Sequence, residues 1–346
     1  MANLQDVAKR AGVSIATVSK VISNTPYVAE ATRQKVLDAI QELGYRPNLA
    51  ARALSSGKTH IVAVVFPYVY DALFKDPLVL AILEGVESVL NAHKYNLLLS
   101  TPRLSEDGID ESYFNLLESG YVDGLIAIDS VPLASVAQAA QARKLPTVVI
   151  GYHEAPMSVR CDDFQGGALL MEHLLGLGHR QIGVISVPKS MNLAVNQRLR
   201  GMAQVCTEHG VDFEALPIVE GDFSNRGGAQ AAEHLLSQHP QLSALVCVND
   251  RMALGAIQRL QQLGLRIPED VSVVGYDNLA QSEFSGPPLT TINQHAVTLG
   301  QSAAEMLFLA LAGQQPAPRV LAPTLVVRQS TAQARPHLAI ELTRKE

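Results

Sequence analysis

The spacing of apolar positions along this chain changes character once, near residue 60. Before that point they recur at intervals of three and four. Leu4, Val7, Ala8 and Ala11 make one stripe, Val18, Val21 and Ile22 a second, and Ala31, Val36, Ala39, Ile40 and Leu43 a third. This is the pattern of short amphipathic helices. Asn3 can cap the first helix with Asp6 at its positive end, Gly12 stops it, Val13 plugs the gap between helices, and Ser14 caps the second. Asn24-Thr25-Pro26 breaks the chain, and the third helix runs from Glu30 to Leu43 with Gly44 as its stop. The Arg46-Pro47 step ends this small unit. A short helical stretch, Asn48-Leu49-Ala50-Ala51-Arg52-Ala53-Leu54, follows, and Ser55-Ser56-Gly57-Lys58 reads as a linker.

From Ile61 onward, short aliphatic runs alternate with helix-length stretches. The runs are Ile61–Phe66, Asn96–Ser100, Gly124–Ile128, Thr147–Ile150, Ile182–Ser186, Leu245–Val248 and Val271–Gly275. Between them lie stretches such as Leu78–His93, Gly166–Leu177 and Arg251–Leu263. Continuously apolar strands separated by helices predict parallel sheets covered on both faces. The number of strands suits two doubly wound lobes better than one. The expected fold is therefore an all-α helix-turn-helix head joined to an α/β body of two doubly wound parallel-sheet lobes.

Charge divides the chain at the same place. Of 27 basic and 33 acidic residues, residues 1–58 hold eight basic and four acidic, a net +4, which leaves 19 and 29, a net −10, for the rest. Only the head suits a polyanion. No apolar run approaches a membrane span, and the N-terminus carries a helix pattern in place of an export signal, so a cytoplasmic protein is expected. Cys161, Cys206 and Cys247 are odd in number and widely spaced, as buried thiols in a reducing compartment would be.

In a helix-turn-helix, the N-terminal end of the second helix enters the major groove. Ile15 and Ala16 offer apolar contact suited to thymine methyls, and Lys20, further along the helix, can donate to guanine or to a phosphate. Thr17, Ser19, Ser23 and Tyr27 can bond phosphates and fix the register. A helical hairpin without a DNA role fits the same periodicity. Leu54, beside Arg52 at the end of an alanine-rich helix, is either a core leucine of a linker or a wedge for a minor-groove base step.

In the body, Arg198, Asn249 and Asp277 fall just after strands or at loop–helix junctions, positions that open into the crevice at strand carboxyl ends. A guanidinium, an amide and a carboxylate together satisfy vicinal hydroxyls, and Phe223 can cover an apolar sugar face. Taken singly, each polar residue reads equally as a cap or a surface pair.

The ordered motifs LQDVAKRAGVSIATVSKVISN, VAEATRQKV, LGYRPN and AARAL, then VRCDDFQGG, LLGLGHRQIG, QRLRG, VCVNDRMALGAI, GLRIPEDVSVVGYDN and PPLTTI, resemble the lactose/galactose repressor family of bacterial transcription regulators. The resemblance extends to about residue 330. It implies a recognition helix formed by Ser14, Ile15, Ala16, Thr17, Ser19 and Lys20, with Lys20 where arginine is common, and a hinge helix containing Asn48, Ala51 and Leu54, with Leu54 intercalating. Ala29 stands where the family often has a capping serine. It also implies a periplasmic-binding-protein-like body that closes on a small effector contacted by Arg198, Phe223, Asn249 and Asp277, with Leu78 and Val79 in a segment that is often aromatic. The domains expected are a head at 1–46, a hinge and linker at 47–58, an N-terminal lobe at 59–162 with 291–322, and a C-terminal lobe at 163–290 with 323–340.

Catalytic and cofactor readings find little support. HExxH, Walker and GxSxG motifs are missing from the sequence, Gly176-Leu177-Gly178 precedes a strand instead of following one, and His93, His173 and His179 lack metal spacing. No cofactor or metal is expected, and the chain is not expected to be an enzyme. The expected partners are a pseudo-palindromic double-stranded operator, a second copy of the chain, and a small effector, with a sugar or sugar derivative favoured over a purine. A solute-binding receptor and an α/β enzyme acting on a sugar or nucleotide are the rival readings. Residues 331–346 carry no leucine heptad of the kind that joins dimers into tetramers.

Overall fold

Asn3 begins the head with a complete capping box. Its side chain accepts from the amides of Gln5 and Asp6, and Asp6 accepts from the Asn3 amide. Helix α1 (Leu4–Ala11) ends at Gly12 in the left-handed conformation, α2 is Ile15–Ile22, and α3 is Glu30–Leu43 with Gly44 as a second left-handed stop. Ser14 caps α2 by accepting from the Thr17 amide at 3.1 Å, whereas Ala29 gives α3 no side-chain cap. The head core is Val7, Ala8, Val18, Val21, Val36, Ala39 and Tyr45. Two expected core positions differ, since Ala31 and Leu43 are exposed. Gly44 turns the chain back so that the Tyr45 amide bonds the Ile40 carbonyl, and the Tyr45 ring fills the place expected for Leu43.

The protein is described here from a computed structural model, which covers residues 2–22, 27–45, 57–66, 73–101, 104–105, 108–109, 111–128, 140, 142–151, 157–188 and 193–335. The Asn24-Thr25-Pro26 break and the hinge stretch 48–54 lie outside the described residues.

The strands of the body are β1 (Ile61–Val65), β2 (Asn96–Ser100), β3 (Leu104–Ser105), β4 (Gly108–Ile109), β5 (Gly124–Ile128), β6 (Thr147–Ile150), β7 (Ser158–Cys161), β8 (Ile182–Ser186), β9 (Ile218–Glu220), β10 (Ala244–Cys247), β11 (Ser272–Val274), β12 (Thr291–Asn293), β13 (Arg319–Leu321) and β14 (Thr324–Val326). Its longer helices are α4 (Pro77–Ala92), α5 (Glu111–Glu118), α6 (Asp163–Gly176), α7 (Leu193–Glu208), α8 (Asn225–Gln238), α9 (Asp250–Gln262) and α10 (Ala296–Leu311).

Two parallel sheets result. The first has the order β13-β7-β6-β5-β1-β2 and the second β11-β10-β8-β9. Each is covered by helices that bury its nearly continuous aliphatic strands. The chain crosses between sheets at β7–α6, and an antiparallel pair, β12 with β14, carries it near the boundary twice more. Beyond β14 it returns to the second sheet, where the Val273 amide bonds the Ser330 carbonyl at 2.8 Å.

Helices α6 and α7 cross very closely. A Cβ at Gly167 would stand 2.0 Å from the Arg198 carbonyl oxygen, and one at Gly201 would stand 1.9 Å from the Phe164 carbonyl oxygen. That approach fixes the height of α7, and with it the Arg198 side chain, against the start of α6. Cys161, Cys206 and Cys247 are all free and buried. No helix among the described residues is long and apolar enough to cross a membrane.

Candidate functional site

Helix α2 presents a defined outer face. With Val18 and Val21 turned into the head core, Ser14, Ile15, Ala16 and Lys20 are exposed and Thr17 and Ser19 half-buried. Ile15 is an aliphatic side chain that folding alone would bury, yet it is 45% exposed in the first turn. Ser14 and Thr17 hydroxyls bond each other at 2.9 Å, which fixes both side chains at the helix entrance. Tyr27 is 97% exposed. Ser23, Asn48, Ala51, Arg52 and Leu54 lie outside the described residues.

In the body, the second lobe gathers most of the predicted ligand residues. Arg198, on α7, is buried, and its guanidinium is held on several sides. Its Nε donates to Asp163 Oδ1 at 2.8 Å, Nη1 donates to the Val248 carbonyl at 2.5 Å, and Nη1 stands 4.0 Å from Asp277 Oδ1. The Tyr276 ring lies beneath it, 3.6 Å from the guanidinium carbon to the ring centroid. Asn249 caps α9, accepting from the Met252 amide at 3.0 Å, and its amide donates to the Phe223 carbonyl at 3.1 Å. Phe223 itself has φ +64° and packs partly against the second-lobe core. Asp277 follows β11 with φ +123° and accepts from Gln294 Nε2 at 2.5 Å.

The two first-lobe candidates sit differently. Leu78 and Val79 occupy the first turn of α4, where Asp76 caps the helix and Pro77 opens it. Val79 is buried in the first-lobe core, and Leu78 is half-buried against it. A groove of about 470 Å³ runs between α4 and the segment after β11, lined in part by Pro77, Leu80, Asp277, Asn278, Asn293 and Ala296. Of the predicted residues, Asp277 faces it.

Burial dominates the electrostatics. It pushes the Asp277 carboxyl well above its ordinary range, with Arg198 pulling the other way. Asp163 is raised by the same desolvation against the same opposing guanidinium. For Arg198 burial disfavours the charge, yet Asp163, Tyr276 and Asp277 outweigh it and the guanidinium holds its proton more tightly than usual. Deeper still, Asp250 is pushed up to about 6 by burial. It nonetheless accepts from Ser282 and Thr291 hydroxyls at 2.5 Å and from the Leu279 amide at 2.8 Å. This network pins the loop that carries Asp277.

Asp163, Tyr276, Gln294, Asp76 and Arg251 escaped the sequence reading. Arg251 Nη1, on α9 of the second lobe, reaches Asp76 Oδ2 of the first at 3.2 Å, and both side chains are nearly buried. For Asp163 the strand that precedes it, β7, is a short run holding Arg160 that gives no pattern to read. For the cross-lobe pair the sequence holds none, because the partners are 175 positions apart.

Residues 3–48 match the model of the bacterial regulatory proteins, lacI family, and residues 171–331 match a periplasmic binding protein-like domain. The HTH-type transcriptional repressor PurR of Vibrio vulnificus (strain CMCP6) is 34% identical over 339 residues, covering 95% of this chain and 98% of the relative. PurR of Klebsiella pneumoniae (strain 342) is 35% identical, covering 96% and 97%. Among solved structures, the lac repressor dimer bound to operator and the anti-inducer ONPF superposes with a TM-score of 0.85 at 30% identity, covering 96% of this chain and 99% of that one. The CelR–cellobiose complex superposes with a TM-score of 0.72 at 32% identity, covering 95% and 100%.

Proposed function

The chain belongs to the lacI family of bacterial regulatory proteins, and we propose that its effector is a sugar or sugar derivative. As a member it is an effector-controlled, sequence-specific DNA-binding transcription regulator of the repressor type. The observation that carries the sugar reading is the Arg198–Asp163–Asp277 cluster over Tyr276, in which donors and acceptors alternate within a few ångströms. That alternation suits hydroxyls, which donate and accept at once. A planar base stacks best between ring faces, and at the two positions read as effector contacts the first lobe has aliphatic Leu78 and the buried Val79. Relatives solved with cellobiose and with ribose support the same class.

Ile15 and Ala16 read base edges in this proposal, Lys20 donates to a guanine or a phosphate, and Ser14, Thr17, Ser19, Ser23 and Tyr27 hold the backbone. The hinge residues Asn48, Ala51, Arg52 and Leu54 enter the minor groove at the operator centre, with Leu54 as the wedge. Two copies of the chain read a pseudo-palindrome in the cytoplasm. The head spans 1–46 and the hinge 47–58, and the lobes are 59–162 with 291–322 and 163–290 with 323–340. Leu78, Val79, Arg198, Phe223, Asn249 and Asp277 contact the effector.

Binding-site selection from a random duplex library tests the reading of the head. The full chain should enrich one pseudo-palindrome, and exchanging Ile15, Ala16 and Lys20 together should change the bases enriched. The same selected sequence from both proteins would overturn the assignment.

A further inference from the structure

Given that this crevice is the effector site, as proposed above, we infer that Asp163 and Asp76 are specificity residues that exclude anionic ligands, so that the site takes an uncharged, hydroxyl-bearing effector. Arg198 and Arg251 are already matched by the chain's own carboxylates. Asp163 Oδ1 takes the Nε edge of Arg198, and the Val248 carbonyl takes Nη1, which removes the fork that a phosphate or carboxylate would use. Arg251 reaches across the lobes to Asp76, and Asp222 is near enough to feel the same guanidinium.

The charge count is decisive. Arg198 and Arg251 face Asp163, Asp76 and Asp277. Two guanidinium groups against three carboxyl groups leave no positive charge to spare while Asp163 and Asp76 are ionised. An incoming anion would have to displace an aspartate that is itself almost wholly buried.

Four helix entrances of the body, those of α4, α6, α8 and α9, are closed to anions as well. A bare helix N-terminus binds phosphate through its free amides. Here Asp76 accepts from the Leu78 amide at 3.0 Å, Asp162 from Gln165 at 3.0 Å, Ser224 from Gly227 at 3.0 Å, and Asn249 from Met252 at 3.0 Å. Each of these entrances carries a side-chain oxygen where an anion would bind, and at α4 and α6 that oxygen belongs to a carboxylate.

The test is calorimetric titration of the full chain at fixed ionic strength with glucose, ribose, fructose and cellobiose, with the phosphate esters of the three monosaccharides, with inorganic phosphate, and with adenine as an uncharged purine. An uncharged sugar should bind at least tenfold more tightly than its own ester. An ester that binds more tightly than its parent overturns the inference and leaves the sugar reading standing. Binding of an uncharged purine in place of every sugar would end the sugar reading and leave the charge rule intact. The second arm needs no effector. Asp76→Asn keeps an oxygen for the α4 cap and releases Arg251, so inorganic phosphate should bind this variant at least threefold more tightly than the parent chain. Equal phosphate affinity in the two proteins would overturn the inference, whatever the sugars do. Asp163→Asn repeats the comparison at Arg198.

Discussion

Arg198 keeps its charge in a place where an isolated guanidinium would be strongly destabilised, because Asp163, Asp277, the Val248 carbonyl and the Tyr276 ring surround it. The side chain is thus positioned before any ligand arrives, and little rotamer freedom remains to be lost on binding. Asp250 plays the corresponding part for the loop that carries Asp277. Its folded-state carboxyl titrates near 6 against 3.8 unperturbed, so the native state holds this proton more tightly than the unfolded chain does. The contribution is present in full below the unfolded value and is lost as pH rises towards 6. Denaturant unfolding of the Asp250→Asn variant and the parent chain across that window should therefore show the variant gaining on the parent as pH rises. A constant difference between the two would mean that Asp250 titrates normally.

At the scale of elements, the head depends on capping. Asn3, Gly12, Ser14 and Gly44 end and begin its helices as their chemistry dictates, and α3 alone starts without a side-chain cap, at Ala29 in extended conformation. Ala29→Ser supplies the missing acceptor and should stabilise the head by about 1 kcal/mol. A thermal melt of the variant that does not exceed the parent's would show that the entrance is already satisfied. The periodicity and stop signals in the sequence were enough to place α3 from Glu30 to Leu43, and aliphatic runs placed β2, β5, β6 and β8 to the residue. Strands β7, β9, β13 and β14 were not legible, because runs of three or four residues, each including a polar or charged one, have no pattern to distinguish them from loop. Tyr45 replaced Leu43 in the head core because the direction of the chain after Gly44 is a tertiary fact. Asn249 and Asp277 could be proposed from their places after strands, whereas Arg198, expected at a junction, lies within α7. Asp163 and the Asp76–Arg251 pair could not, since their meaning depends on a partner far away in sequence.

At the scale of the whole molecule, a basic head is joined to an acidic body whose two lobes face each other across the groove beside Asp277. The body's net −10 repels DNA and leaves the head's +4 to engage it, so affinity should fall steeply as salt rises. Leu54→Ala should weaken binding to the selected duplex far more than to random duplex, as loss of a wedge requires. Equal losses on both would assign Leu54 to the linker instead. Control by the effector requires different affinities for two lobe arrangements, and typical coupling corresponds to roughly 5–150-fold in DNA affinity. The direct measurement is fluorescence anisotropy with the full chain and its selected duplex, with and without a saturating sugar that binds the crevice, and with Arg198→Ala in parallel. The sugar should shift the duplex Kd at least fivefold for the parent chain and leave Arg198→Ala unmoved while that variant still binds DNA. A duplex Kd that is the same with and without bound sugar would contradict control of the head through the crevice.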